Sequence, residues 1–298
     1  MSYVLAFCLA LCWGTAFLAS KNIVDVLPPY WGAFLRVLAG LVFFAILFAV
    51  QRAPIKCPAR QIWRPWTISL MLILLPFAAL SWGIQHTVPT IAGIFNGTVP
   101  IWSFIAGAIL LKGVDRFTWR RAAGVVIGLA GLLVIMHPQW QAALTAPAGQ
   151  MALWGYLALL VMALSYGVGN VITKKIMVDN TELNWQANTF HQYMFAAVVL
   201  GVISYATEPV PALAVFNTKL VLSIISAGVF SSAVAFLLMI ALMKRWGATR
   251  MASVTYFSPI IAMGTDILFR GRTPHLPELI GMVFIFVSLW LIQKKVEG

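Results

Sequence analysis

The chain has 298 residues, of which 61% are apolar and 9% charged, and its mean hydropathy is +0.92. Soluble globular domains carry about 25% charged residues, so this composition excludes an ordinary soluble domain and indicates a protein embedded in lipid. The net charge of +12 does not indicate nucleic-acid binding, because the basic residues lie in short clusters between apolar runs. We therefore expect membrane lipid and a small molecule as partners, and no nucleic acid.

Ten apolar runs follow one another along the chain, and each is long enough for a membrane-spanning helix of about 20 residues. The runs are 3–24, 30–50, 65–86, 88–111, 118–136, 150–176, 186–206, 216–242, 247–269 and 276–293. They are longer than the strands of a membrane β-barrel and apolar on every face. The sequence thus predicts an all-α integral membrane protein with ten transmembrane helices in a single membrane domain, residues 1–298.

The basic residues predict the orientation of these helices. With the N-terminus in the cytoplasm, fifteen Lys and Arg residues lie at the inner ends of the runs and four at the outer ends. Arg36 lies inside the second run. Positively charged residues are enriched on the cytoplasmic side of membrane proteins, so we expect both termini to be cytoplasmic.

The two halves of the chain match each other at a nearly constant spacing. The matched sets are Trp13, Gly14 and Lys21 with Tyr166, Gly167 and Lys174 (spacing 153), Thr90, Gly93 and Pro100 with Thr249, Ala252 and Pro259 (159), and Gly124 with Gly281 (157). Each half, 1–149 and 150–298, holds five predicted helices, so the second copy enters the membrane from the opposite side. Two inverted five-helix repeats are typical of secondary transporters, which bind substrate between the halves near the bilayer midplane.

Four segments carry a family resemblance. They are ALCWGTAFLASKNI, LPPYWGAFLRVLAG, RFTWRRAAGVVIGLAGLLVI and LLMIALMKRWGATRMASVTYFSPIIA. With these segments the chain resembles the EamA family of the drug/metabolite transporter superfamily. The resemblance implies a ten-helix bundle in a bacterial inner membrane that exports a small metabolite or a drug-like molecule.

Polar and aromatic side chains in the middle of the predicted helices are the candidates for substrate binding. Buried amides bridge helices or bind a ligand, and aromatic faces suit flat or cationic organic molecules. The candidates are Trp13, Trp82, Gln85, Asn96, Trp102, Tyr166, Asn170 and Tyr256. Packing between helices is the alternative role for each of them.

Four titratable residues are candidates for coupling or gating, and each has a simpler alternative. His86 and His191 could take up protons or be hydrogen-bonded at the interface. Asp266 could act in coupling or pair with Arg270 one helical turn later. Arg36 could bind a substrate carboxylate, but we expect it to extend to the outer headgroups.

Two prolines, Pro100 and Pro259, occupy matching sites in the two halves. Proline breaks or kinks a helix, so a symmetric pair is a hinge hypothesis.

The functional prediction is a secondary transporter that exports small organic metabolites by alternating access. Amino acids, aromatic ones especially, and drug-like amphiphiles are the expected substrates. A transporter of nucleotide sugars or lipid-linked sugars and a non-transporting membrane scaffold are the alternatives. The sequence carries no catalytic motif, metal-site spacing or cofactor motif, so we expect no enzyme activity, metal or cofactor. We expect a monomer.

Overall fold

A computed structural model describes residues 2–87, 89–111, 118–135, 137, 150–178, 184–257 and 276–293, and over these ranges the chain forms helices and loops without a β-strand. We number the helices in chain order. They are α1 (Ser2–Val24), α2 (Pro29–Val50), α3 (Ala59–His86), α4 (Pro89–Gly97 continued by Val99–Leu110), α5 (Trp119–Ile135), α6 (Gln150–Thr173 continued by Lys174–Val178), α7 (Trp185–Thr207), α8 (Thr218–Trp246), α9 (Ala248–Ala252 continued by Ser253–Tyr256) and α10 (Leu276–Gln293).

Seven helices in the described ranges are long and apolar enough to cross a membrane: α1, α2, α3, α4, α6, α7 and α8. The all-helical, multi-pass membrane character predicted from composition is therefore confirmed. Helix α5 has 17 residues, and the apolar part of α10, Leu279–Ile292, is also shorter than a full span. Only the first part of the predicted run 247–269, up to residue 257, lies within the described residues.

Several helices change their winding near their middle. Helix α3 contains a π-helical turn at Leu70–Leu74, and α8 contains a longer one at Ser226–Val234. In α8 the Ser232 hydroxyl donates to the Ala227 carbonyl oxygen five residues earlier, at 2.7 Å. Such π turns bulge one side of a helix and occur frequently at functional sites.

Helix α4 is interrupted at Thr98, next to Pro100. Pro100 occupies the first turn of the second segment, where its missing N–H breaks no bond within that segment. The Thr98 hydroxyl donates to the Phe95 carbonyl oxygen at 2.7 Å and accepts from Trp102 Nε1 at 3.0 Å. These bonds partly satisfy the backbone and side-chain groups at the break.

The helices pack in pairs drawn from the two halves of the chain. Helix α1 packs on α8, α2 on α7, α3 on α6, and α5 on α10. Small residues allow the closest of these approaches, as is usual between membrane helices. Phe44, Tyr193 and Phe236 form an aromatic contact where α2, α7 and α8 meet. This pairing places the π-helical turns of α3 and α8 and the break in α4 around one central space.

Candidate functional site

A cavity lies in the middle of the bundle, between the two halves of the chain, and residues of α1, α2, α3, α4, α6, α7, α8 and α9 line it. Its volume is about 90 Å³, counted as the space open to the centre of a water-sized sphere. One water needs about 10–15 Å³ by this measure, so the cavity has room for several waters or part of a small organic molecule.

The lining residues come largely in pairs separated by the spacings of the sequence repeat. The pairs are Trp13 with Tyr166 and Phe17 with Asn170 at a spacing of 153, and Leu72 with Ser231, Ile73 with Ser232, Phe77 with Phe236, Leu80 with Met239 and Asn96 with Thr255 at 159. Each half of the chain thus presents equivalent positions to the same space. The residues within a pair often differ in polarity, which makes the cavity chemically asymmetric.

Four of the predicted substrate-binding residues line this cavity: Trp13, Asn96, Tyr166 and Asn170. The Asn170 side chain donates from Nδ2 to Ser103 Oγ at 3.3 Å and is 4% exposed. The Asn96 side chain is half-buried and makes no hydrogen bond to any described residue. The amide of Asn96 therefore remains available to a bound molecule.

Arg36 also lines the cavity, and the expectation that it extends to the outer headgroups is wrong. Its side chain is 5% exposed, and its Nε donates to Ser232 Oγ at 2.9 Å and its Nη1 to Ser20 Oγ at 3.3 Å. Its guanidinium carbon lies 4.0 Å from the centroid of the Phe77 ring. Acceptors on α1 and α8 hold the guanidinium in the bundle interior, so it has no need to reach water along its own helix.

The other predicted binding residues lie away from the cavity. Trp82 and Gln85 line a separate cleft at the end of the bundle, together with Asp25 and Glu208; we call this the end cleft. Trp102 binds Thr98 on its own helix.

Tyr256 is fully buried, and its hydroxyl donates to the Val125 carbonyl oxygen at 3.0 Å. Its ring packs so close to Gly128 of α5 that a Cβ there would overlap it. Tyr256 therefore contributes a packing contact between α9 and α5.

The titratable candidates are also dispersed. His86 packs against the Trp82 ring, with 4.6 Å between the ring centroids. His191 Nε2 lies 3.1 Å from the Ile55 carbonyl oxygen, in the loop between α2 and α3. Asp266 and the hinge candidate Pro259 lie outside the described residues.

The structure adds lining residues that the sequence analysis did not select. Those that carry a polar or aromatic group include Phe77, Tyr193, Ser231, Ser232, Phe236 and Thr255. Ser231 is 3% exposed, and its hydroxyl has no hydrogen-bond partner among the described residues. Several of them could have been predicted from the repeat spacing. Thr255, for example, lies 159 residues after the candidate Asn96 and so occupies the equivalent position in the second half.

The wall of the cavity combines aromatic faces with one cation and several neutral polar groups. No carboxylate or histidine occurs among its described lining residues. The described part of the chain also contains no cluster of His, Cys, Asp or Glu that could hold a metal ion. Such a wall can bind an organic molecule by stacking and hydrogen bonding.

Comparison with known proteins places this chain among transporters. Residues 1–137 and 153–293 match the EamA-like transporter family. The chain is similar to the uncharacterized transporter YoaV of Bacillus subtilis (strain 168), with 26% identity over 85% of this chain and 83% of the relative. It is also similar to a probable amino-acid metabolite efflux pump of Escherichia coli (strain K12), with 23% identity over 97% of this chain and 93% of the relative.

A solved crystal structure resembles the chain, with a TM-score of 0.74 over 98% of this chain and 96% of the other. The two sequences are 16% identical, so this likeness concerns the fold alone.

Proposed function

The chain belongs to the EamA-like transporter family, and from this premise we propose that it exports small organic metabolites by alternating access through the central cavity. The observation that carries the proposal is the lining of one cavity by equivalent positions of the two halves. Secondary transporters with inverted repeats bind substrate between the repeats and rock one half against the other. The proposal includes a bacterial inner membrane location with both termini in the cytoplasm.

Several observations support ten helices in two inverted five-helix repeats, residues 1–149 and 150–298. The family match falls in two parts, one in each half. In such a repeat, each helix of the first half corresponds to the helix five places later in the second half. The contact between α1 and α8 then corresponds to the contact between α6 and α3, and the pairs α2–α7 and α5–α10 each correspond to themselves. All of these contacts occur.

Amino acids, aromatic ones especially, are the substrates that we propose. Trp13, Phe77 and Tyr166 supply aromatic faces to the cavity, and Asn96 and Asn170 supply amides. A relative from Salmonella typhimurium is also named a probable amino-acid metabolite efflux pump. Nucleotide sugars carry two phosphates and would require several cations, whereas Arg36 is the single cation among the described lining residues.

Facilitated efflux is the transport mode that we propose. Proton exchange requires a group in the transport path that gains and loses a proton. Neither His86 nor His191 lies at the cavity, and the described lining holds no carboxylate. The gradient of the exported metabolite itself would then drive its movement.

Efflux from proteoliposomes tests this function. Vesicles are loaded with a mixture of amino acids and small amines, and loss of each solute is followed by mass spectrometry with and without a pH gradient. We expect protein-dependent loss of selected amino acids and the same final concentration ratio with either pH condition.

A matched pair of variants on α6 links that loss to the cavity. Tyr166→Ala removes a lining ring, whereas Trp154→Ala removes a ring that is 59% exposed on the outer surface of the bundle. We expect slower efflux from the first variant only. Equal rates for both variants and the native protein, or no loss of any solute from folded protein, would contradict the proposal.

A further inference from the structure

From the surroundings of Arg36 we infer that the cavity contains a carboxylate-binding site, so that solutes with an organic carboxylate bind in preference to those without one. This inference rests on the proposed function and specifies its substrate class. It predicts that amino acids and other apolar monocarboxylates are bound, and that amines of the same shape without a carboxylate bind more weakly.

The first step is the charge of Arg36. A guanidinium remains protonated in proteins, and a buried charge without a partner is costly. Arg36 is 5% exposed, and its contacts are two serine hydroxyls and the face of Phe77. These neutral groups hydrogen-bond and polarise toward the cation, but they do not neutralise it.

The carboxylates whose contacts the structure shows are engaged elsewhere. Asp25 Oδ1 lies 2.9 Å from Lys21 Nζ, and both oxygens of Glu208 accept backbone hydrogen bonds from Tyr30 and Trp31. Both acids lie at the end cleft. Within the described part of the cavity wall, the positive charge of Arg36 therefore has no anion of the protein beside it.

The second step is the supply of hydrogen-bond donors. A guanidinium has five N–H groups in a planar fork, and Arg36 gives one to Ser232 and one to Ser20. The Ser232 hydroxyl donates its own proton to the Ala227 carbonyl oxygen, so its lone pairs face Arg36 and fix the fork. The remaining N–H groups are available to a carboxylate, which is the natural bidentate partner of a guanidinium.

Ser231 provides a second, independent sign of a missing ligand. Its side chain is 3% exposed and lines the cavity, and its hydroxyl makes no hydrogen bond within the described ranges. A buried polar group is normally hydrogen-bonded. Ser231 and Ser232 both lie on the π turn of α8, so the turn presents one serine that positions Arg36 and one whose hydroxyl is free to donate to a bound anion.

The third step is the shape of the rest of the wall. Trp13, Phe17 and Tyr166 line the cavity as aromatic faces, and Phe77 carries the guanidinium on its ring. A molecule with its carboxylate at Arg36 would place an apolar or aromatic body against these rings. Apolar amino acids and arylalkanoates have this combination, whereas a lone amine would meet the cation of Arg36 with a like charge.

Direct binding measurements test the inference with ligands that share one ring. Purified full-length protein in detergent is titrated by calorimetry with phenylacetate, L-phenylalanine and phenethylamine. We expect both carboxylates to bind and phenethylamine to bind at least about 10-fold more weakly, because phenethylamine lacks the hydrogen bonds that a carboxylate makes to the charged guanidinium. Equal or tighter binding of phenethylamine, or no binding of either carboxylate, would overturn the inference.

Variants then assign the effect to the site. Arg36→Gln should weaken phenylacetate binding by about 10- to 100-fold, and Arg36→Lys by less, because an ammonium keeps the charge but lacks the fork. The matched control is Arg245→Gln, since Arg245 also hydrogen-bonds a serine, Ser2, but lies outside the cavity lining. A folded Arg36→Gln protein that binds phenylacetate like the native protein would contradict the assignment.

Ser231→Ala keeps the inference testable if the Arg36 variants fail to fold. This change removes an unpaired hydroxyl, so we expect normal stability and weaker phenylacetate binding. Unchanged phenylacetate binding by this variant would count against the site. Because binding requires no transport, carboxylate binding without efflux would refute the proposed function alone, and efflux of amines in preference to carboxylates would refute the inference alone.

Discussion

Gly131 of α5 and Gly281 of α10 lie backbone against backbone. A Cβ added to Gly131 would lie 2.8 Å from the Gly281 carbonyl oxygen, and one added to Gly281 would lie 2.6 Å from the Gly131 carbonyl oxygen. Membrane helices gain their association energy from such close packing rather than from the hydrophobic effect. The contact therefore explains why these two short helices form one of the most extensive pairings in the bundle.

Adding a methyl group at this contact should loosen the bundle. We expect Gly131→Ala or Gly281→Ala to lower the free energy of unfolding by about 1–3 kcal/mol, as overpacking usually does, because the opposing atom is backbone and cannot rotate away. Thermal unfolding in detergent measures the change. Gly201→Ala is the control, since its Cβ would meet the edge of the Phe34 ring at 3.1 Å, and a ring can shift. Equal losses at Gly201 and Gly131 would contradict the explanation.

Glu208 joins the end of α7 to the start of α2. Its two carboxylate oxygens accept from the backbone N–H groups of Tyr30 and Trp31 at 3.0 and 2.9 Å. These N–H groups begin a helix and have no partner within it. We expect Glu208→Gln to lower the free energy of unfolding by about 1–3 kcal/mol, because an amide offers one acceptor and no charge.

Asp25→Asn is the matched control for Glu208→Gln. Asp25 borders the same end cleft, but its partner is the partly exposed Lys21, and such surface ion pairs contribute about 0–1 kcal/mol. A larger melting-temperature loss for Asp25→Asn than for Glu208→Gln would overturn the assignment of Glu208 as the helix cap.

Helix positions in this protein could be predicted from the sequence because long apolar runs have one stable form in lipid. The predicted runs 3–24 and 30–50 coincide closely with Ser2–Val24 and Pro29–Val50. Trp13, Asn96 and Tyr166, predicted near the middle of their helices, line the central cavity, whereas Trp82 and Gln85, predicted at the same depth, lie at the end cleft. The side of the helix that faces the cavity was not, because a helix apolar on every face carries no rotational signal.

The position of the Arg36 side chain could not be predicted from the sequence either, because its energy depends on residues of other helices. A charge inside an apolar run favours extension to the headgroups when only its own helix is considered. The acceptor that holds it in the interior, Ser232, lies 196 residues away on α8, and a single sequence does not display that contact.

Conservative changes at two predicted residues should distinguish packing from substrate binding. Trp102→Phe removes the Nε1 donor to Thr98, and Tyr256→Phe removes the hydroxyl donor to the Val125 carbonyl oxygen. Each should cost about 1 kcal/mol of stability and leave substrate affinity unchanged, because neither side chain lines the cavity. Trp13→Ala, in the cavity wall, should lower affinity in the same calorimetric titration. A marked loss of affinity with Trp102→Phe would show that Trp102 belongs to the binding site after all.

Pro100 is a test of the hinge hypothesis. Alanine at this position has an N–H that can donate to the Asn96 carbonyl oxygen and so continue α4 through the break at Thr98. We expect Pro100→Ala to slow efflux while solute binding stays the same, since the cavity wall is kept. Pro29→Ala, at the start of α2, is the control, because the loop of residues 25–28 separates it from α1 and the change joins no two helical segments. A native efflux rate in Pro100→Ala would remove the hinge role.

Cys57, in the loop between α2 and α3, can report the orientation of the chain in the membrane and the pKa of its own thiol. With Cys8 and Cys12 replaced by Ser, it is the single cysteine of the chain. A membrane-impermeant maleimide should label it in inside-out vesicles and not in intact cells if the N-terminus is cytoplasmic, because one helical hairpin returns the chain to the same side. Burial raises the pKa of the Cys57 thiol, against a smaller opposing effect of Arg64. Since the thiolate is the reactive form, labelling at neutral pH should be slower than in the unfolded chain and should accelerate as the pH rises. Labelling in intact cells would reverse the predicted orientation, and labelling of the folded protein at neutral pH as fast as that of the unfolded chain would contradict the raised pKa.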